Sequence, residues 1–234
     1  IMVPAGLQTQ EAIESASAHL PRGGIIIDGG NSFYRDTIRR ASILREREIS
    51  LLDVGVSGGI HGRTQGYCLM VGGEESAFKA IRPLFDELAP ARGCARVGGP
   101  GTGHFAKMVH NAIEYAVLQA YGEGFELLRQ SGFDYDLASI ADLWNHGGVI
   151  RSWLLELTRR AFEQSPDLRG IRGWVEDSGE GRWALEEAME LDVPVPVIAL
   201  SLMMRFRSRQ EDSFSARLIA ALREQFGGHE PKEE

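Results

Sequence analysis

Lysine is nearly missing from this sequence: Lys79, Lys107 and Lys232 stand against 22 arginines. Where a permanent positive charge suffices, arginine supplies it, so a lysine kept at a special position is a candidate for a group that must lose its proton. A GC-rich genome would give the same bias. Cysteine is scarce too. Cys68 and Cys94 are too few for a disulfide scaffold and have no metal-ligand spacing, which points to a reducing compartment, the cytoplasm. A net charge of −8 leaves no basic footprint for nucleic acid. If the substrate is anionic, local arginines must oppose that field. No run approaches the ~18 apolar residues of a membrane span, and no signal-peptide pattern is visible.

What is present is the composition of a globular protein, 43% hydrophobic and 25% charged over 234 residues, enough for one large domain or two small ones. The opening "IMVPAG" reads as the end of a buried strand entering a loop, so an upstream portion is expected. "GIIID" (24–28), "ISLLDV" (49–54), "YCLMVG" (67–72) and "ARVG" (95–98) read as further strands. Helices are expected over 9–19, 35–46 and 74–88. Continuous apolar strands joined by helices predict a mostly parallel sheet covered on both faces, an α/β domain of truncated Rossmann-like, doubly wound type over residues 1–100. From residue 101 no strand is expected. A long helix over 101–130, with Tyr121, Phe125 and Leu128 on a core stripe, opens an all-helical domain spanning 101–234.

In an open α/β sheet, ligands bind beyond the carboxyl ends of the strands. The loops there are "VPAG", "DGGNSFYRDT" and "GVSGGIHG". Gly29 and Gly30 let backbone approach a ligand while Asn31 offers donor and acceptor; the alternative is a turn in which Asn31 or Ser32 caps the next helix. Ser57 with Gly58 and Gly59 sets a hydroxyl beside two amide N–H groups, suited to a carboxylate or phosphate oxygen, or else forms a plain glycine turn. In "GTGHFAKMVHNAIEY", Lys107, His110, Asn111 and Glu114 have the i, i+3, i+4, i+7 spacing of one helix face. Lys107 and Glu114 then lie roughly 10 Å apart along the axis, too far for a direct ion pair and wide enough for a small substrate. An amine and a carboxylate so placed form a candidate acid–base pair, provided burial or a neighbouring cation lowers the lysine pKa from ~10.4. The competing reading is a solvated polar face.

In order along the chain, "VPAG", "DGGNSFYRDT", "LLDVGVSGGIHG", "GTGHFAKMVHNAIEY", "GGVIRS", "DSGEGRW" and "REQFGGH" resemble the decarboxylating 6-phosphogluconate dehydrogenases, the shorter form in particular. The resemblance implies oxidation of 6-phosphogluconate at C3 with hydride transfer to NAD or NADP, then loss of carbon dioxide to give ribulose 5-phosphate. It makes Lys107 the base that takes the C3 hydroxyl proton and then polarises the ketone, and Glu114 the acid that protonates C1. It assigns Asn31, Ser57, Gly58, Gly59, His110, Asn111 and Tyr115 to the sugar acid and Arg151 to the phosphate. Val3, Ala5 and Asn31 would face the cofactor. Arg223 and His229 match tail residues that reach a partner subunit's site, implying a homodimer at least. No metal is expected, because an ammonium serves as electron sink.

Two departures qualify the match. Ser178 stands where the family's phosphate-binding lysine is found, with Arg182 the nearest cation. The G-x-G-x-x-G turn and the ribose-reading residue would lie before residue 1, so the choice between NAD and NADP is not written here. Rival readings are a 3-hydroxyisobutyrate or tartronate semialdehyde type dehydrogenase, which would share the lysine and asparagine but not need Glu114, and a non-catalytic sugar-acid-binding homologue.

Overall fold

The computed structural model describes residues 1–227. Four strands, β1 (Ile25–Asp28), β2 (Ser50–Ser57), β3 (Cys68–Gly72) and β4 (Cys94–Gly98), form one sheet in that order. β1 pairs with β2 and β3 with β4 in parallel, whereas β2 and β3 run antiparallel. The reason is the length of the link. Between Ser57 and Cys68 the chain has room only for a 3-10 turn and one helical turn, α3 (Gly62–Gln65), short of the crossover of about a dozen residues that parallel pairing requires.

Strand alternation divides the core. Leu51 joins Ile13, Ile26, Ala41 and Leu44 beneath α1 (Leu7–His19) and α2 (Tyr34–Glu46). On the opposite face Leu52 and Val54 join Phe78 and Phe85 of α4 (Glu75–Leu88). Covered on both faces, the sheet is the Rossmann-like layer expected. The segment Ile1–Val3 is not a strand, contrary to the reading of "IMV". Its pairing with β1 consists of Ile1 N donating to Ile27 O (2.6 Å) and Gly29 N donating to Ile1 O (3.0 Å).

Among the described residues six helices follow the sheet: α5 (Thr102–Gln130), α6 (Leu137–Asn145), α7 (Trp153–Gln164), α8 (Glu180–Glu190), α9 (Pro196–Ser208) and α10 (Phe214–Gly227). The Asp136 carboxylate caps α6 through Ala138 N and Ser139 N, and Ser152 Oγ caps α7 through Leu155 N. The chain divides into two compact units. The first comprises Ile1–Glu114 and Gly179–Pro194, the second Tyr115–Ser178 and the chain from Val195 onward.

Helix α8 belongs to the first unit because its side chains are held there. Tyr34 Oη donates to Glu187 Oε2 (2.6 Å), Arg35 donates to the same carboxylate (2.8 Å) and also pairs with Glu190, and the Phe33 and Trp183 rings lie 5.1 Å apart. In the second unit Phe125, Leu137, Ala141, Leu155 and Phe162 form the core, with Tyr121 and Leu128 against it as their spacing predicts. Among the described residues no helix is long and apolar enough to cross a membrane.

Candidate active site

The site begins with a buried acid inside an apolar strand. Asp53, fully buried on β2, accepts hydrogen bonds from Gly101 N (2.8 Å) and His104 N (2.9 Å) at the amino end of α5. A carboxylate there satisfies amides that have no intrahelical acceptor and opposes the positive end of the helix dipole. Three glycines make the approach possible. A Cβ on Gly55 would come within 2.5 Å of Lys107 Cβ, one on Gly103 within 2.5 Å of Asp53 O, and one on Gly72 would strike the Asp53 carboxylate. The helix therefore lies directly on the strands, and its second turn carries Lys107.

Lys107 is 9% exposed, with no hydrogen bond or ion pair to its ammonium among the described residues. Burial pushes its pKa below the ordinary lysine value; the negative charges of Glu114 and Glu180, and the Cys68 sulfur, oppose that shift only in part. One turn on, His110 Nε2 lies 3.3 Å from Ser57 Oγ, and His110 Nδ1 lies 3.0 Å from Asn111 Oδ1 and 4.0 Å from Glu114 Oε2. Asn111 Nδ2 donates to Glu180 Oε1 at 2.6 Å. Lys107, His110, Asn111 and Glu114 thus do share one surface, with Ser57 reached from the end of β2, and Lys107 and Glu114 form no ion pair. Lys107 and Asn111 are buried, which removes the solvated-face reading for them, while His110 and Glu114 are half-buried.

Gly58 and Gly59 have positive φ (132° and 52°), which glycine adopts without strain. The Tyr67 ring backs this loop so closely that a Cβ on Gly62 would overlap it. Neither Gly58 N–H nor Gly59 N–H has a protein acceptor among the described residues, so both remain available to a ligand oxygen.

Around Asn31 the buried Asp28 carboxylate accepts from Gly30 N (3.1 Å) and Ser32 Oγ (2.7 Å). Ser32 is therefore committed to Asp28, and α2 begins at Tyr34 without a side-chain cap. Asn31 is exposed. A Cβ on Gly30 would stand 2.9 Å from Val3 O, so the loops carrying Val3, Ala5 and Asn31 lie side by side at the strand ends. That bare backbone, beside a carboxamide with no hydrogen bond among the described residues, offers the donors and acceptors that a nicotinamide cofactor takes.

Of the remaining expected residues, most belong to the second unit. Tyr115 lies in the second unit, buried, its hydroxyl accepting from Ser178 N (3.0 Å) and lying 2.9 Å from Ser178 Oγ, with the Arg205 guanidinium 3.4 Å from its ring centre. Arg151 and Arg223 are exposed side chains of that unit, and Arg182 is exposed on α8. His229 lies outside the described residues. Sequence reasoning missed Asp53, Glu180 and Cys68. An acid inside the apolar run "LLDVGV" and another between glycines in "SGEGRW" were the available signals; register alone pairs Cys68 with Ser57.

A family model described as "6-phosphogluconate dehydrogenase, C-terminal domain" matches residues 103–230, and one described as "NAD binding domain of 6-phosphogluconate dehydrogenase" matches residues 1–99. An NAD(+)-dependent, decarboxylating 6-phosphogluconate dehydrogenase of Haloferax volcanii is 46% identical over 232 residues, covering 98% of this chain and 77% of that protein. The structure of Plasmodium falciparum 6-phosphogluconate dehydrogenase, described with NADP+ and with 6-phosphogluconate, superposes with a TM-score of 0.81 at 28% identity, over 100% of this chain and 52% of that one. The chain thus spans about half the length of that longer enzyme. At the level of fold alone, 3-hydroxyisobutyrate dehydrogenase of Salmonella typhimurium matches with a TM-score of 0.72 at 22% identity, over 88% of this chain and 72% of the other.

Proposed function

The chain belongs to the 6-phosphogluconate dehydrogenase family, and from that premise we propose that it catalyses the oxidative decarboxylation of 6-phosphogluconate to ribulose 5-phosphate. The observation that carries the reading is Lys107, a buried amine with no hydrogen bond or ion pair among the described residues, on one helix face with His110, Asn111 and Glu114. A nicotinamide cofactor, NAD or NADP, would be held by Val3, Ala5 and Asn31 and supplies a hydride acceptor when bound.

Neutral Lys107 takes the proton of the C3 hydroxyl as the C3 hydride departs. As an ammonium it then hydrogen-bonds the 3-keto oxygen, drawing in the electron pair released when the C1–C2 bond breaks and carbon dioxide leaves. Glu114, acting as the acid, returns a proton to the former C2 of the enediol, which becomes C1 of ribulose 5-phosphate. Burial favours the neutral amine that the first step needs, and the two carboxylates nearby favour the ammonium that the second needs. Ser57, His110, Asn111 and the Gly58 and Gly59 amides orient the sugar acid. Ser178 carries no positive charge with which to replace a phosphate-binding lysine, and its hydroxyl lies 2.9 Å from that of Tyr115.

A second copy of the chain completes the assembly. Phe214, Leu218, Ile219 and Leu222 are exposed on one side of α10, the helix that also carries Arg223. Cys68 and Cys94 are free thiols, in keeping with a cytoplasmic enzyme.

The test is the full-length enzyme with 6-phosphogluconate and each cofactor in turn. The expected result is cofactor reduction with an equal release of carbon dioxide, lost in Lys107→Met while substrate binding persists. Reduction without carbon dioxide would instead favour a non-decarboxylating hydroxyacid dehydrogenase. Unchanged turnover in Lys107→Met would remove Lys107 as the base.

A further inference from the structure

Asn111 and His110 form the middle of a chain of hydrogen bonds that runs Ser57 Oγ, His110 Nε2, His110 Nδ1, Asn111 Oδ1, Asn111 Nδ2, Glu180 Oε1, with separations of 3.3, 3.0 and 2.6 Å. Each group except the carboxylate can face either way. A carboxylate only accepts, so the Asn111 NH2 must face Glu180 and its carbonyl must face His110. An acceptor opposite Nδ1 requires the proton on Nδ1. Glu114 Oε2, 4.0 Å from the same nitrogen, is also an acceptor and favours the same tautomer. Neutral His110 then has a bare Nε2, which takes the hydroxyl proton of Ser57 and leaves Ser57 with only lone pairs toward the pocket.

Glu180 is 2% exposed and Asn111 8% exposed, so water cannot relieve a flipped amide. The sequence builds the anchor deliberately: Gly179, left-handed at φ 95°, turns the chain so that Glu180 opens α8, where an acid is favoured by the helix dipole.

We propose that Glu180 is a positioning residue that sets the Nδ1–H tautomer of His110 through Asn111, and so makes Ser57 a hydrogen-bond acceptor for a substrate hydroxyl rather than a donor to an anion. Carboxylate or phosphate oxygens are left to the Gly58 and Gly59 amides. The proposal rests on this surface being the substrate site, but its test does not depend on turnover.

In two-bond 1H–15N correlation spectra of the 15N-labelled protein, at a pH where imidazole is neutral, His110 is expected as a single Nδ1–H tautomer, identified by its loss in His110→Gln. In Glu180→Gln the new amide can donate or accept, and a mixture containing the Nε2–H form is expected. An Nε2–H tautomer in the wild type overturns the proposal even if no variant folds. So does an unmixed Nδ1–H form in folded Glu180→Gln. A failed 6-phosphogluconate assay would leave the tautomer result standing, and a wrong tautomer would leave that assay unaffected.

Discussion

Glycine to alanine at two positions of α5 should give opposite results, because the same methyl group meets a wall at one and water at the other. At Gly103 the added Cβ would stand 2.5 Å from Asp53 O and 2.8 Å from Gly72 N, and would also overlap Met70 O. All three are backbone atoms of paired strands, so none can move aside alone. Relief requires the helix to lift from the sheet, an overpacking cost of about 1–3 kcal/mol or somewhat more. The better helix propensity of alanine returns only about 1 kcal/mol. At Gly124 the Cβ meets nothing within 4 Å, so the propensity gain of about 1 kcal/mol stands unopposed. Urea unfolding followed by circular dichroism should place Gly124→Ala above the wild type and Gly103→Ala below it. Lifting the helix also displaces Lys107 one turn away, and a misplacement of about 1 Å is expected to lower kcat on the order of 100-fold. A Gly103→Ala protein as stable and active as the wild type would refute the close-approach account of how Lys107 is positioned.

Two further outcomes follow from the charges. With the folded-state pKa of Lys107 below its unfolded value, the unfolded chain binds more protons between the two values, so this group makes stability rise with pH across that window. Lys107→Met should flatten that slope and be at least as stable as the wild type at neutral pH; thermal melts over a pH series would show a steeper slope if the reasoning is wrong. Tyr34→Phe should cost about 1 kcal/mol through the hydrogen bond to Glu187. The Tyr34 hydroxyl, then the Arg35 guanidinium, holds the Glu187 carboxyl below the usual range, so stability from this contact is present above the unfolded carboxyl pKa and lost as pH falls through the folded value. A difference between variant and wild type that persists in strong acid would argue against it.

Much of this was legible in advance, for reasons that differ by residue. The face shared by Lys107, His110, Asn111 and Glu114 follows from the helical period alone, and the Tyr121, Phe125 and Leu128 stripe likewise. The glycine turn beside Ser57 was legible because paired glycines just past a strand end mark a place where the backbone takes positive φ. Asp53 and Glu180 were not. Their partners, Gly101 and Asn111, lie 48 and 69 residues away, and a pairing at such distance leaves no local period. The antiparallel β3 escaped for a related cause: an apolar strand reads alike in either direction, and only the length of the preceding link decides.

Because α8 returns to the first unit, the site has an order of completion as well as a geometry. A ribosome that has released residues 1–114 has supplied Lys107, His110, Asn111 and Glu114, yet not the carboxylate that holds Asn111 or the Glu187 that meets Tyr34, 153 residues further along. Closing so long a loop is slow compared with forming the α5 helix itself. The nascent first unit therefore carries an unfinished site, with Asn111 and Tyr34 lacking these partners, until the segment around residue 180 has emerged and docked. Catalytic competence is thus expected late in synthesis, well after the strands that carry the site have paired.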